Sequence, residues 1–150
     1  MLRFRSVANE GTPILVVEDV EETRDGIEKL LERDGYRVDS AREEEDAVVT
    51  AARKPPDLIL VSLGGSLAHV IATARRVRDR AALGEQVPIV IFCVESIAEG
   101  EEVSIGNNVY LTRPDNFNQL RALLRRLLHA TPPESLNARS QRRAGDQIRF

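Results

Sequence analysis

The chain has 150 residues, of which 42% are hydrophobic and 30% charged. That is room for one ordinary domain with its own core, and it excludes a wholly disordered chain. Its 21 basic and 24 acidic residues give a formal net charge of −3, which speaks against a dedicated nucleic-acid binder, normally marked by a basic excess.

In chain order, residues 1–12 form an N-terminal arm that ends in the turn Glu10-Gly11-Thr12. The arm has arginines but no continuous apolar stretch, so no secretory signal is expected. A first buried strand covers residues 13–17 and leads directly into Glu18 and Asp19. Ile27, Leu30 and Leu31 then sit at helical spacing. A second strand, 36–39, is followed by a helix with Ala47, Val48, Ala51 and Ala52 on one face. The third strand, 57–61, ends at Ser62 and Leu63-Gly64-Gly65. Leu67, Val70, Ile71, Ala74 and Val77 stripe the third helix. The fourth strand, 88–93, lies in the longest apolar run, Val87 to Val94, far short of the roughly 20 residues that span a bilayer. It delivers Cys93, the single cysteine, which rules out an intrachain disulfide. Residues 95–107 hold only Ile97, Val103 and Ile105, with glycines at 100 and 106, so a fourth helix there is expected to be short or irregular. The fifth strand, 108–112, contains Tyr110 and delivers Arg113 and Pro114. The last helix carries Phe117, Leu120, Leu124, Leu127 and Leu128 on one face, with Arg121, Arg125 and Arg126 largely off it. Thr131-Pro132-Pro133 ends it, and residues 131–150 read as a flexible basic tail, too short and polar for an output domain.

Five alternations of strand and helix imply an α/β fold, a doubly wound five-stranded parallel sheet of flavodoxin-like, three-layer α/β/α architecture. Such sheets bind ligands beyond the carboxyl ends of their strands. The first strand runs into acids and not into a glycine-rich phosphate loop, and no GxxxxGK[ST] or GxGxxG follows it. One cysteine and two distant histidines, His69 and His129, do not make a zinc site. His69 reads as a packing or surface residue.

The strand ends therefore carry the chemistry: Glu18 and Asp19, Ser62, Cys93, and Arg113 with Pro114. Taken together, they resemble the receiver domain of two-component response regulators, over residues 13–130. In that family an acidic pair and a central aspartate hold Mg²⁺, and the aspartate takes a phosphoryl group from a histidine kinase. The resemblance puts Glu18 and Asp19 in the acidic pair, Ser62 at the aspartate and Cys93 at a hydroxyl residue. It puts Arg113 at a lysine, Tyr110 at a switching aromatic and the Gly64 carbonyl among the metal ligands.

Three of those positions depart from the family. Ser62 has no carboxylate to phosphorylate and removes one hard oxygen donor. Cys93 is a weak donor, with Val94 crowding it, and Arg113 replaces a compact ammonium with a planar fork. The expectation is a degenerate, stand-alone cytoplasmic pseudo-receiver that is not an enzyme, with Mg²⁺ binding weak or absent (weak candidates Asp19 and Gly64). It would act by protein–protein contact with a histidine kinase or another signalling protein, or as a homodimer through strand five and helices four and five. Neither nucleic acid nor membrane is an expected partner. Arg113 is expected to pair with Glu18 or Asp19, since its fork suits a carboxylate. Four alternatives stay open. The acidic pair can serve only to cap a helix, and Tyr110 can be a plain surface aromatic. The chain can also be a phosphorelay receiver with another acceptor such as Asp19, or a small nucleotide- or flavin-binding protein.

Overall fold

The first strand, β1 (Pro13–Glu18), is PILVVE, with Ile14 to Glu18 all buried. A strand buried on both faces needs helices above and below it, and the computed structural model, which describes residues 11–92 and 95–129, supplies them. The chain runs on through α1 (Glu21–Arg33), β2 (Arg37–Ala41), α2 (Glu44–Arg53), β3 (Leu58–Ser62), α3 (Leu67–Arg80) and β4 (Ile89–Phe92). It continues with β5 (Glu102–Gly106), β6 (Val109–Thr112) and α4 (Phe117–His129). Most of the arm, the basic tail, Cys93 and Val94 lie outside the described residues.

The strand order is β2-β1-β3-β4-β6-β5. The first five of these pair in parallel, so the doubly wound, flavodoxin-like sheet is present with its five expected parallel strands. Leu15, Val17, Ile59, Val61, Ile89, Ile91, Val109 and Leu111 share one face and pack with Ala47 and Ala51 of α2 and Val70, Ala74 and Val77 of α3. By the two-residue period of a strand, Ile14, Val16, Leu58 and Leu60 point to the other face. There α1 lies against β1 and β2 and buries Ile27 and Leu31.

Local chemistry explains the helix ends. Ser66 caps α3 by accepting from the His69 N–H at 3.2 Å, and Glu43 caps α2 by accepting from Glu45 N–H at 2.7 Å. Gly35, at φ +98°, ends α1 in the left-handed conformation that glycine adopts without strain. Arg76 and Arg80 of α3 clamp Glu44 of α2, each at 2.9 Å. Arg80 also holds Glu45, at 2.6 Å. Arg78 is buried, with Nη1 donating to the Val87 carbonyl at 3.0 Å.

The expected fourth helix is absent among the described residues. Residues 102–106 instead form a sixth strand, β5, antiparallel to β6 with an irregularity between Ser104 and Gly106. Asn107 and Asn108, at φ +56° and +63°, make the two-residue turn that joins them, with the positive φ pair favoured in tight hairpins. Val103 and Ile105 pack on the core while Glu102, Ser104 and Gly106 face solvent. The segment follows a period of two, which is why it cannot lie down as a helix. A dimer surface built from strand five and helices four and five accordingly loses its fourth helix.

A second compact unit begins at Phe117. Its helix α4 buries Leu120, Leu123 and Leu124, and its Arg125 and Arg126 are exposed. No helix among the described residues is long and apolar enough to cross a membrane.

Candidate functional site

The parallel register sets Glu18 at the end of β1 beside Ser62 at the end of β3. Glu18 is only 3% exposed, an unusual setting for a carboxylate, and its surroundings explain how it is tolerated. Its Oε2 accepts from the Val20 N–H at 3.0 Å, and the Ser62 hydroxyl stands beside the same carboxyl. Arg24 fixes the local backbone by donating from Nη1 to the Glu18 carbonyl at 2.8 Å.

Burial pushes the Glu18 carboxyl above its ordinary value, and contact with the Asp19 carboxylate pushes it the same way. The Val20 N–H and the Ser62 hydroxyl oppose that shift. Asp19 itself is exposed. Gly64 lies next to it: a Cβ there would meet Asp19 Oδ2 at 3.9 Å. Asp19 and Gly64, with Leu63, His69 and the α2 start at Glu43 and Glu44, border an open depression of about 310 Å³.

The acidic pair is not the cap of α1. That position is Val20, which makes no side-chain cap bond. Arg113 is the clearest departure from expectation. Its Nη1 donates to the carbonyls of Ile97 at 3.1 Å and Glu95 at 3.5 Å, and no ion pair joins it to Glu18 or Asp19 among the described residues. Carbonyls of the β4–β5 loop hold one end of the fork, so the loop, not the acids, captures the arginine. Tyr110, on β6, is half-buried and donates its hydroxyl to Asn108 Oδ1 at 2.7 Å. That tether holds the phenol toward the hairpin turn, at the opposite end of β6 from Arg113. His69 is exposed. Asp57 is exposed at the start of β3, the end opposite Ser62.

The structure thus brings Glu18, Asp19, Ser62 and Gly64 together and turns Arg113 and Tyr110 elsewhere. Arg24 and the α2 acids join the site unannounced by any motif. Mg²⁺ seeks several hard, charged oxygen donors in near-octahedral array. Here one of two carboxyls is buried, is pushed above its ordinary value and accepts from the Val20 N–H, and Ser62 supplies a neutral hydroxyl. Among the described residues, no three His, Cys, Asp or Glu side chains converge to hold a metal. The donor set fits Mg²⁺ poorly.

Comparison with known proteins identifies the family to which this fold belongs. The family model for the response regulator receiver domain matches residues 14–125. The KDP operon transcriptional regulatory protein KdpE of Escherichia coli is 32% identical over 117 residues, covering 76% of this chain and 50% of that protein. The phosphate regulon transcriptional regulatory protein PhoB of Pseudomonas aeruginosa is 31% identical, covering 82% of this chain and 54% of that protein. The chain thus spans about half the length of the curated relatives it matches. Among solved structures, the receiver domain of a sensor histidine kinase from Pseudomonas aeruginosa, crystallised with magnesium in its active-site cleft, is 28% identical. It aligns with a TM-score of 0.59 over 80% of this chain and 99% of that one. A match that runs from β1 into α4 makes this chain a member of the response regulator receiver domain family of two-component signalling.

Proposed function

We propose that this receiver, covering residues 13–130, works as a binding module in two-component or phosphorelay signalling and neither accepts nor transfers a phosphoryl group. One observation carries the reading: where β3 ends beside the acidic pair stands Ser62, a hydroxyl set in register with Glu18. Acyl-phosphate chemistry needs a carboxylate nucleophile at that position, and a neutral hydroxyl is a weak one. The poor fit of the donors to Mg²⁺ supports the same conclusion. In this reading the protein is not an enzyme, works in the cytoplasm, and has as partner a histidine kinase or another signalling protein. Switching between states then depends on a partner that prefers one of them.

The test is incubation with acetyl phosphate and Mg²⁺ followed by intact-mass measurement. No mass gain is expected. One added phosphoryl group, lost in Ser62→Ala or mapped to Asp19, overturns the reading. In Ser62→Asp, a third carboxyl joins the pair. A magnesium titration followed by amide NMR should then show binding at Asp19 and Gly64 at least about tenfold tighter than in the native chain. Equal affinity in the two chains would show that Ser62 is not what weakens the metal site.

A further inference from the structure

The edge strand β5 has no role in the pocket at the end of β1, yet its geometry and charge are distinctive. It is the terminal strand of the sheet. The Arg113 N–H donates to the Glu101 carbonyl at 3.2 Å, which makes that pair a hydrogen-bonded one. Antiparallel ladders alternate, so Val103 opposite Leu111 is the next bonded pair, and the N–H and carbonyl of Ser104 point away from β6. No strand lies on that side among the described residues. Along the rim, residues 95–106 include Glu95, Glu99, Glu101 and Glu102 and no lysine or arginine, and all four acids are exposed. Among the described residues Arg113 alone brings a cation beside Glu95 and Glu99, so the rim stays acidic. A second copy meeting this edge would set acid against acid, so charge selects a basic occupant.

We propose that β5 is a docking edge for an extended basic segment of a partner protein, which adds to the sheet as a seventh strand. Its backbone bonds to Ser104, its apolar side chains continue the row of Val103 and Ile105, and its cations meet Glu99 and Glu102. Strand addition of this kind draws affinity from main-chain bonds and selectivity from alternate side chains. The surface is separate from Ser62, so this proposal and the acetyl phosphate experiment succeed or fail independently.

The experiment uses the full chain, ¹⁵N-labelled, titrated with the peptide acetyl-Lys-Val-Lys-Val-Lys-Val-amide and, in parallel, with its Glu-Val counterpart. The expected result is saturable shifts centred on Ser104 with the basic peptide only, weakening as salt is added. Ser104→Pro removes an N–H outside the β5–β6 ladder, at the kind of edge position where proline is tolerated. It should leave the thermal midpoint near that of the native chain and weaken the peptide about tenfold or more. The double variant Glu99→Lys/Glu102→Lys should reverse the preference toward the Glu-Val peptide. Shifts centred away from β5, equal binding of both peptides, or unchanged affinity in Ser104→Pro would overturn the proposal. So would self-association of the native chain that Ser104→Pro abolishes, since the edge would then belong to a second copy.

Discussion

Two crossovers in this molecule do the same job by different means. After β3 the chain returns through α3, whose Val70, Ala74 and Val77 bury a full helical stripe on the sheet. After β4 it returns through β5, which buries only alternate side chains, Val103 and Ile105, and those only partly. The helix leaves a sheet interior closed on both sides, whereas the strand leaves an open rim of backbone and four exposed acids. The difference shows what a crossover must supply for a parallel sheet to continue. It needs a route back to the start of the next strand, and an apolar face wide enough to cover the last one. Residues 95–107 have the first but not the second.

The largest expected effect comes from exchanging the centre for the rim. Leu60 is fully buried in the middle of β3, and Leu60→Ala should cost about 2–5 kcal/mol, the range for a buried leucine whose cavity does not collapse. Val103→Ala, at the half-buried edge, should cost about 1 kcal/mol. Urea denaturation of both variants checks the ratio. Equal losses would mean that β5 is as much part of the cooperative core as β3, and the contrast between the crossovers would fail.

A smaller effect distinguishes how the two connections leave their elements. α3 ends with Ala82 at φ +60°, closed by bonds from Ala82 N to Asp79 O and Leu83 N to Arg78 O, each at 3.0 Å. Alanine in the left-handed region costs roughly 1–2 kcal/mol. The β5–β6 turn puts Asn107 and Asn108 there, residues that tolerate it. Asn108 is further secured by its Nδ2 bond to the Glu85 carbonyl at 2.9 Å. Ala82→Gly should therefore stabilise the protein by up to about 1 kcal/mol, part of the relieved strain being offset by the greater freedom of unfolded glycine. Asn108→Gly should gain nothing, because it also loses that bond. Thermal unfolding of the two variants separates them.

Much of this was readable from residues alone, and the failures have physical causes. The β-branched and leucine runs of β1, β3 and β4 mark strands buried on both faces, and the acids after β1 mark the site. β5 is hard to read because sparse apolar residues and two glycines look only like a poor helix. The alternation of Val103 and Ile105 and the Gly106-Asn107-Asn108 turn were the available hairpin signals. The direction of Arg113 was illegible for a different reason. Whether a guanidinium meets acids on a neighbouring strand or carbonyls in its own loop depends on how that loop folds back, and no spacing encodes this. The burial of Glu18 beside a carboxyl neighbour follows from register, which fixes Glu18 against Ser62 only once β1 and β3 are paired.

The smallest expected effect lies at that carboxyl and belongs to the closed half of the sheet, since Glu18 is buried where the acids of β5 and the loop before it are all exposed. Burial and Asp19 raise the Glu18 carboxyl above its unfolded value, so between those two values the folded state holds more proton than the unfolded one. By linkage, the stability this group contributes is fully present below the ordinary carboxylate range and is lost as pH rises through the raised value. Glu18→Gln mimics the protonated form: its carbonyl oxygen still accepts from Val20 N–H, and its amide donates toward Asp19. The variant and the native chain should therefore match at low pH. The variant should become the more stable as pH rises through the raised value, and the gap should level off once pH lies above it. Denaturation midpoints measured across that range test the sign directly. A gap that is constant with pH would mean that Glu18 is held by its hydrogen bonds alone. A gap of opposite sign would mean that the ionised form is the one the fold prefers, and the conclusion that these donors suit Mg²⁺ poorly would lose its support.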